Sequence, residues 1–357
     1  MKCKGIRLIL VGCFIWSAAV MASESALVEE IRTLLREQAL SRPDESQLNA
    51  LNSENLHAGL KEIDVWADLI KAPDAFRDSV TAGIGGELYM DEGQPWIMPY
   101  ANSPLTRAGI DDRFQLHAVN GIPVSELPIT EIARLLTGNE ASVLPLKICE
   151  AGCGEPEILL VKLEPIQKQS VEQVTVAGQT ILRVRSFKVW ETRFFLERFL
   201  AAVDGATPLI LDLRDCQGGD LFEAMDAAAL FLQGGEELVA TVDRENRRKH
   251  YYSPYSIKVT NPLTLLVSRN TASAGEVFAG ILQLHGRAVL TGQQTRGKCV
   301  SQIERRLSDG SQLHFTNLAI ELPGGIVCQD KGLEPNIKLT AEEVRNSYLL
   351  LSRLHSK

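Results

Sequence analysis

An α/β fold with more than one domain is what this sequence predicts, on three observations. From Val174 onward, short apolar runs alternate with segments of helical apolar spacing, the pattern of strands and crossover helices. Between about Ser79 and Pro165 the pattern is instead short strands broken by Gly and Pro turns, with one helix at Ile129 to Leu136. The chain has 357 residues, 45% hydrophobic and 23% charged, enough to bury two or three cores.

The elements follow in chain order. Residues 1–22 carry Lys2, Lys4 and Arg7, an apolar run from Leu8 to Val20 and the ending Val20-Met-Ala22, which read as a secretory signal cleaved before Ser23. Leu10-Val-Gly-Cys13 also has the form of a lipid-attachment box, but few apolar residues precede it and the apolar run continues past Cys13. The expectation is export to a periplasm or the exterior. No later run has the length of a transmembrane helix, so no stable membrane insertion is expected.

Without the signal, 34 basic residues face 45 acidic ones, a formal charge of −11, which disfavours a nucleic-acid partner. The one basic cluster, Arg244 to Lys249, reads as a solvated loop. From Ser25 to about Ala72 the spacing predicts a long helix, a break at Ser41-Arg-Pro-Asp44 and two shorter helices. Further on, Ile181 to Val184 reads as a strand and Glu191 to Val203 as an amphipathic helix. Leu209 to Leu213 is a buried strand, Phe222 to Leu232 a helix and Leu263 to Val267 a strand.

The stretch Arg269 to Gln302 carries the chemistry. Apolar residues Val277, Phe278, Ile281 and Leu282 place a helix over Ala274 to His285, with Gly286 as its stop and Ser273 at its start. Ala288 to Leu290 reads as a strand, and the polar loop Thr291 to Gly297 delivers Lys298. Ser273-Ala-Gly-Glu276 also fits a helix capping box, a reading under which Glu276→Gln would leave most activity. Gly292 to Lys298 imitates a phosphate-binding loop, but Cys299 stands where Ser or Thr would hold magnesium, and Val300 to Thr316 reads as a hairpin about Asp309-Gly310, not a helix. A nucleotide is therefore excluded. No His, Cys and Glu spacing suits a metal, so neither metal nor other cofactor is expected. His285 and His314 are near in sequence but belong to no motif.

TASAGE, GRAVLTG and TRGKCVSQ, preceded by Leu209-Ile-Leu-Asp-Leu-Arg-Asp-Cys-Gln-Gly-Gly219, resemble the carboxyl-terminal processing proteases, the S41 serine peptidases. The resemblance implies Ser273 as nucleophile, Lys298 as general base and Gln302 as the group that orients the lysine. It implies a crotonase-like or Clp-protease-like sheet with catalytic groups at strand ends. Arg296, where an aromatic is usual, and Cys299, where Gly is usual, depart from the pattern.

A serine hydroxyl must lose its proton as it attacks, and a solvated lysine with a pKa of about 10.4 cannot take it, so Lys298 is expected to be buried. Oxyanion donors are available in the backbone N–H of Ala274 and of Gly218 or Gly219. Gln302 stands four residues after Lys298, roughly 13 Å on a fully extended strand, so contact would need a bend.

Upstream, Gly83-Ile-Gly-Gly86 with Asn102-Ser-Pro-Leu-Thr-Arg-Ala-Gly109 resembles the family's PDZ module, in which Ile84, Gly85 and Gly86 would offer N–H groups to a peptide's terminal carboxylate. Asp111-Asp-Arg113 departs from the usual Gly-Asp and is expected to alter a turn only. The implied division is a signal at 1–22, a helical region at 23–77, a PDZ domain at 78–165, a peptidase core at 166–340 and a C-terminal helix at 341–357. The function implied is a serine endopeptidase acting on polypeptides engaged through their C-termini, with homo-oligomerisation left open. A catalytically inactive PDZ scaffold on the same fold is the alternative, and an acyl-CoA enzyme of crotonase shape has no nucleotide-handling loop to support it. Of the five cysteines after the signal, Cys149 and Cys153 flank a hairpin turn and are expected to pair, and Cys216 and Cys299 would make activity redox-sensitive.

Overall fold

The computed structural model describes residues 11–70, 82–150, 153–176, 178–254 and 259–355. Side chains before Ser25 lie outside that description, as do residues 1–10 of the expected signal segment. No described helix is long and apolar enough to cross a membrane. Contacts divide the chain into two compact units, and the division cuts across the sequence order expected above.

The first unit comprises 1–77, 241–249 and 300–320. Its helices are Val11–Gln38, Glu45–Ala50 and Leu56–Ile63. Asp44 starts the second with a full capping box: it accepts from Gln47 N–H at 2.8 Å while Gln47 Oε1 accepts from Asp44 N–H at 3.0 Å. The helices alone have no core. Ile31, Leu35, Leu48, Leu51 and Leu60 bury themselves against Leu313 and Phe315 of the hairpin formed by Val300–Arg306 and Gln312–Glu321. That hairpin, expected in the peptidase core, thus completes the N-terminal region.

The helical pattern also ends earlier than expected. Asp64 turns the chain by accepting from Trp66 N–H at 3.0 Å and Thr316 N–H at 2.6 Å, and Asp68–Ile70 then pairs antiparallel with the hairpin as a strand. Arg244 to Asn246 fall in a tight turn in which the Asp243 carboxylate accepts from Glu245 and Arg247 N–H groups at 2.9 and 3.0 Å.

The second unit comprises 78–240, 250–299 and 321–357. Its central sheet runs in the order 171–176, 179–184, 209–212, 263–267, 289–292, 337–338. The first pair is antiparallel and the rest are parallel. Leu209–Asp212 is buried along its whole length, as a central parallel strand covered on both faces must be. Helices Thr192–Ala202 and Ala274–Leu284 follow strands 179–184 and 263–267 as crossovers. Functional groups of such sheets gather beyond the carboxyl ends of the parallel strands.

A second sheet of the same unit orders strands 86–91, 94–99, 114–119, 143–150 and 157–162, all antiparallel. Helix Ile129–Leu135 contributes Ile132 to its core of Ile97, Leu105, Phe114, Leu146 and Ile148. Among the described residues, strand Gly86–Asp91 is an edge, bonded only to Gln94–Pro99. Cys149 and Cys153 are joined by a disulfide, as their spacing predicts.

The Asp111-Asp-Arg113 departure does more than reshape a turn. Asp112 and Arg113 are buried, and Arg113 donates to Asp215 at 2.5 Å and lies 3.9 Å from Asp212 at the end of the central strand. Asp112 accepts Ser347 N–H at 2.9 Å. Asp212 also receives a bidentate bond from fully buried Arg214, at 2.8 and 2.7 Å. Burial alone would raise the Asp212 pKa, but Arg214, Arg113 and Arg183 hold it far below the carboxylate range. The charges neutralise one another, which is the condition for burying them.

Asp112 also explains why the expected single C-terminal helix is two, Ala341–Arg345 and Ser347–His355. Ser347 N–H turns to Asp112, and Asn346 Oδ1 accepts from Tyr348 and Leu349 N–H groups at 3.0 Å, restarting the helix.

Candidate active site

Ser273 begins the helix Ala274–Leu284, as the apolar periodicity predicts, at a sharp strand-to-helix turn with φ 54° and ψ −125°. A non-glycine residue in that region is strained, and the surroundings must over-determine it. They do so through Thr271, fully buried, whose hydroxyl donates to Leu213 carbonyl at 2.8 Å and accepts Ser268 N–H at 3.0 Å. Ser268 hydroxyl donates to Arg214 carbonyl at 2.5 Å, and Ala272 N–H to Cys216 carbonyl at 3.0 Å. The turn before the helix is thereby fastened to the turn after the neighbouring parallel strand.

That fastening brings Gly218 against Ser273. A Cβ on Gly218 would lie 2.7 Å from Ser273 Cβ and 3.1 Å from both Ser273 Oγ and Ala274 N, so a side chain here would displace Ser273. Gly218 and Gly219 have φ of 116° and 136°, a conformation glycine alone adopts readily. Phe187 N–H donates to Gly218 carbonyl at 2.9 Å and Asp220 N–H to Phe187 carbonyl at 2.8 Å, which leaves Gly219 N–H out of this bridge.

Cys216 itself is fully buried beneath the site, and burial pushes its thiol up to about 12. A neutral thiol closed off from solvent is not a reactive one. The expected redox role of Cys216 is corrected accordingly.

Lys298 is placed by Glu276, a residue the sequence offered only as a cap. This carboxylate is fully buried. Oε1 accepts from Thr295 hydroxyl at 2.5 Å and Gly297 N–H at 2.7 Å; Oε2 accepts from Ser273 N–H at 3.1 Å and Lys298 N–H at 2.8 Å. One oxygen atom therefore holds the backbones of two residues that are 25 positions apart. The Glu276 N–H donates to the Ser273 carbonyl at 2.8 Å, the ordinary bond of a helix start. The carboxylate is visible in sequence as the last letter of TASAGE, but its span to the 295–298 loop is a tertiary fact.

Lys298 is half-buried, short of the full burial expected of it, and Ser273 is half-buried too. Behind Lys298, Cys299 is bonded to Cys328 across a separation of 29 residues, a pairing not foreseen from the sequence. Cys299 N–H donates to Gln329 Oε1 at 2.8 Å and Asp330 N–H to Gly297 carbonyl at 2.8 Å, so the 297–299 segment is clamped from that side too. Reduction of this disulfide is expected to lower stability by about 2–4 kcal/mol. Denaturant midpoints with and without reductant check this, with Cys299→Ser plus Cys328→Ser protein keeping only the smaller reductant effect that the Cys149–Cys153 bond contributes.

Gln302 belongs to the other unit. Its strand carries a bulge between Ser301 and Gln302, and its side-chain amide donates to Trp66 carbonyl at 2.8 Å. The imitation of a phosphate loop ends in strand Val300–Arg306, not a helix. His285 Nε2 lies 2.7 Å from Glu237 carbonyl, and His314 lies 3.6 Å from Glu304, which accounts for both structurally.

Ile84, Gly85 and Gly86 line a groove of about 400 Å³ between edge strand Gly86–Asp91 and helix Ile129–Leu135. The Ile84 side chain faces the core, and the Ile84 and Gly85 carbonyls accept from Leu105 and Tyr100 N–H groups at 3.2 and 2.9 Å. Lys168 stands at the rim. Glu87, Tyr100 and Lys168 also line a second groove, of about 500 Å³, that ends at Gly218 and Gly219.

With this geometry in place, comparison with known proteins is consistent from one kind of match to the next. A "Probable CtpA-like serine protease" of Staphylococcus aureus strain COL is 26% identical over 321 residues, covering 87% of this chain and 64% of the relative. One of the same description from Staphylococcus haemolyticus strain JCSC1435 is 28% identical over 275 residues, covering 74% of this chain and 54% of the relative. The chain thus spans less than two thirds of the length of the curated relatives it matches.

Among solved structures, a photosystem II D1 C-terminal processing protease superposes with a TM-score of 0.61 at 21% identity, covering 89% of this chain and 93% of that one. A putative S41 protease from Bacteroides fragilis NCTC 9343 gives 0.59 at 16% identity, covering 90% and 91%. At these identities the superpositions establish the mixed α/β fold. The sequence profile described as "Peptidase family S41" matches residues 179–339, the segment that holds Gly218, Ser273, Lys298 and Gln302. Over that segment the chain is similar to peptidase family S41.

Proposed function

We propose that the protein is a serine endopeptidase in which Ser273 is the nucleophile and Lys298 its general base, on a crotonase-like core preceded by a PDZ module. The observation that carries the reading is the single Glu276 oxygen that accepts the N–H groups of both Ser273 and Lys298, at 3.1 and 2.8 Å. A helix cap alone has no need of the second bond.

In this reading the Lys298 amine takes the Ser273 hydroxyl proton as Oγ attacks the scissile carbonyl, then passes it to the departing amine. The acyl-enzyme is released by water activated in the same way. Ala274 N–H, at the helix N-terminus, and Gly219 N–H receive the oxyanion, where a preorganised donor contributes a factor of about 10² to 10³ in rate. Gln302 orients the lysine, a role carried by family resemblance. Substrate bound over half-buried Lys298 would complete its desolvation and favour the neutral amine. Cleavage of an unfolded polypeptide by native protein, beside its Ser273→Ala form, tests the assignment.

The substrate is read as a polypeptide that enters by its C-terminus in an exported compartment. Among the described residues, edge strand Gly86–Asp91 pairs on one side only, so an extended peptide could add on the other, and Lys168 at the rim suits a carboxylate. Amidating the C-terminus of a bound peptide is expected to weaken binding at least about tenfold, the loss of charge-assisted bonds worth about 1.5–3 kcal/mol. Equal affinities of acid and amide forms, measured by titration calorimetry, would rule out terminal-carboxylate recognition.

A further inference from the structure

An exposed set of aromatic side chains stands beside the catalytic groove and has no part in the chemistry above. Trp190 is 73% exposed, Phe222 53% and Phe194 42%, with Val189 exposed beside Trp190 in sequence. Trp190 and Phe194 stack at 6.0 Å between centroids, and Phe222 meets Tyr251 edge-on at 5.7 Å. Large apolar rings left in water are costly, and a group of them beside a groove marks an interaction surface.

The segment that presents Trp190 is built rigidly. Trp190 sits at φ 65°, a strained setting for a bulky residue. Buried Glu223, on the helix Leu221–Ala229 that also carries Phe222, holds it there: Oε2 accepts Trp190 N–H at 3.1 Å and Oε1 accepts Arg193 N–H at 2.7 Å. Fully buried Thr192 donates to Ser186 carbonyl at 2.9 Å and accepts Lys188 N–H at 3.0 Å. The Glu191 carboxylate accepts Ser170 N–H at 2.8 Å and pairs with Lys188 at 2.6 Å. Strain of this kind persists only where the surroundings impose it, and here they impose an outward-facing indole.

The surface is continuous with the proposed oxyanion turn. Phe187 is bridged to Gly219, and Ser186, Lys188, Gly218 and Gly219 line one groove. Trp190 is three residues from Phe187, so its backbone lies within about 11 Å of that bridge, the span of roughly three residues of extended substrate. Phe222 follows Gly219 by three residues on the other side.

We infer that Trp190, Phe194 and Phe222 form a docking rim for aromatic or large aliphatic side chains of the substrate polypeptide within about three residues of the scissile bond. The occupant is an extended, unfolded chain, because only such a chain presents apolar side chains while its backbone threads the catalytic groove. Trp and Tyr are the residues that most often carry binding energy at such surfaces. This inference rests on the peptidase reading for its location and deepens it by naming the substrate class.

The test uses full-length mature protein carrying Ser273→Ala, which binds without cleaving, and two labelled peptides of equal length, charge and C-terminus. One has Phe and Leu at successive positions upstream; the other has Ser and Gly there. A shared C-terminus makes any contribution of the PDZ groove equal. Anisotropy titration is expected to show the apolar peptide bound at least about tenfold tighter, about 1.4 kcal/mol. Adding Trp190→Asn, which tolerates the left-handed backbone, and Phe222→Ser is expected to reduce that preference to within about twofold and leave the polar peptide's affinity unchanged.

A preference that survives in the double variant, or no preference in its parent, overturns the docking rim. Circular dichroism of the double variant separates lost docking from lost fold; if it is unfolded, Phe194→Ser alone, expected to lower the preference at least about threefold, decides by the same readout. Failure of the peptidase reading appears separately, as no cleavage of either peptide by native protein while the binding preference remains.

Discussion

Ser273→Ala and Lys298→Ala are each expected to lower cleavage of an unfolded polypeptide by about 10⁴-fold or more, and the double variant by no more than either one. Nucleophile and base act as one unit, so removing the second costs little once the first is gone. Chelators are expected to leave native cleavage unchanged. Both variants are expected to keep the fold. Thr271, Ser268 and Ala272 fasten the nucleophile turn without the Ser273 hydroxyl, and the loop before Lys298 is held through backbone groups. The measurement is initial rate on a denatured protein substrate, with protein freshly freed of host proteases. Wild-type turnover by Ser273→Ala protein would end the catalytic assignment. Native protein that binds peptides and cleaves none would instead favour the inactive-scaffold reading.

What was legible in the sequence was mostly local. The apolar period from Val277 to Leu282 fixed where the nucleophile helix starts, and so put Ser273 at a turn and Lys298 after a polar loop. The uniformly apolar run at Leu209 marked a central strand because burial on both faces leaves no alternation to obscure it. Cys149 and Cys153 paired because a hairpin turn brings near neighbours together. The misses are contacts between distant segments. Asp68–Ile70 is too short to show a period, and its strand identity comes from its partner in the 312–321 strand. The Cys299 bond to Cys328 and the bonds of Asp112 and Arg113 depend on loops meeting in space. The division into units was hidden for the same reason, since the N-terminal helices bury their apolar faces on a hairpin more than two hundred residues away.

Glu276→Gln separates the two readings of the site most sharply, and its expected result reverses what the cap alone implies. Each carboxylate oxygen accepts two donors: Thr295 hydroxyl and Gly297 N–H on one, Ser273 N–H and Lys298 N–H on the other. Glutamine keeps one acceptor oxygen and turns an NH₂ toward the other pair, so at least one buried donor pair loses its acceptor. A buried group left unsatisfied costs about 1–3 kcal/mol, so Glu276→Gln is expected to lose about 2–4 kcal/mol of stability. The 295–298 loop then shifts relative to the nucleophile turn, and a displacement of about 1 Å is enough to cost roughly 10²-fold in rate. The expected signature is a kcat lowered about 10²-fold with KM nearly unchanged, since the groove residues that bind substrate are untouched. Labelling of Ser273 by a fluorophosphonate is expected to slow in parallel, a readout that a purely structural cap would not move in protein shown to be folded. Full kcat with a stability loss of only about 1 kcal/mol would mean that Glu276 is an ordinary member of a capping box and that the pairing of Ser273 with Lys298 is held by something else.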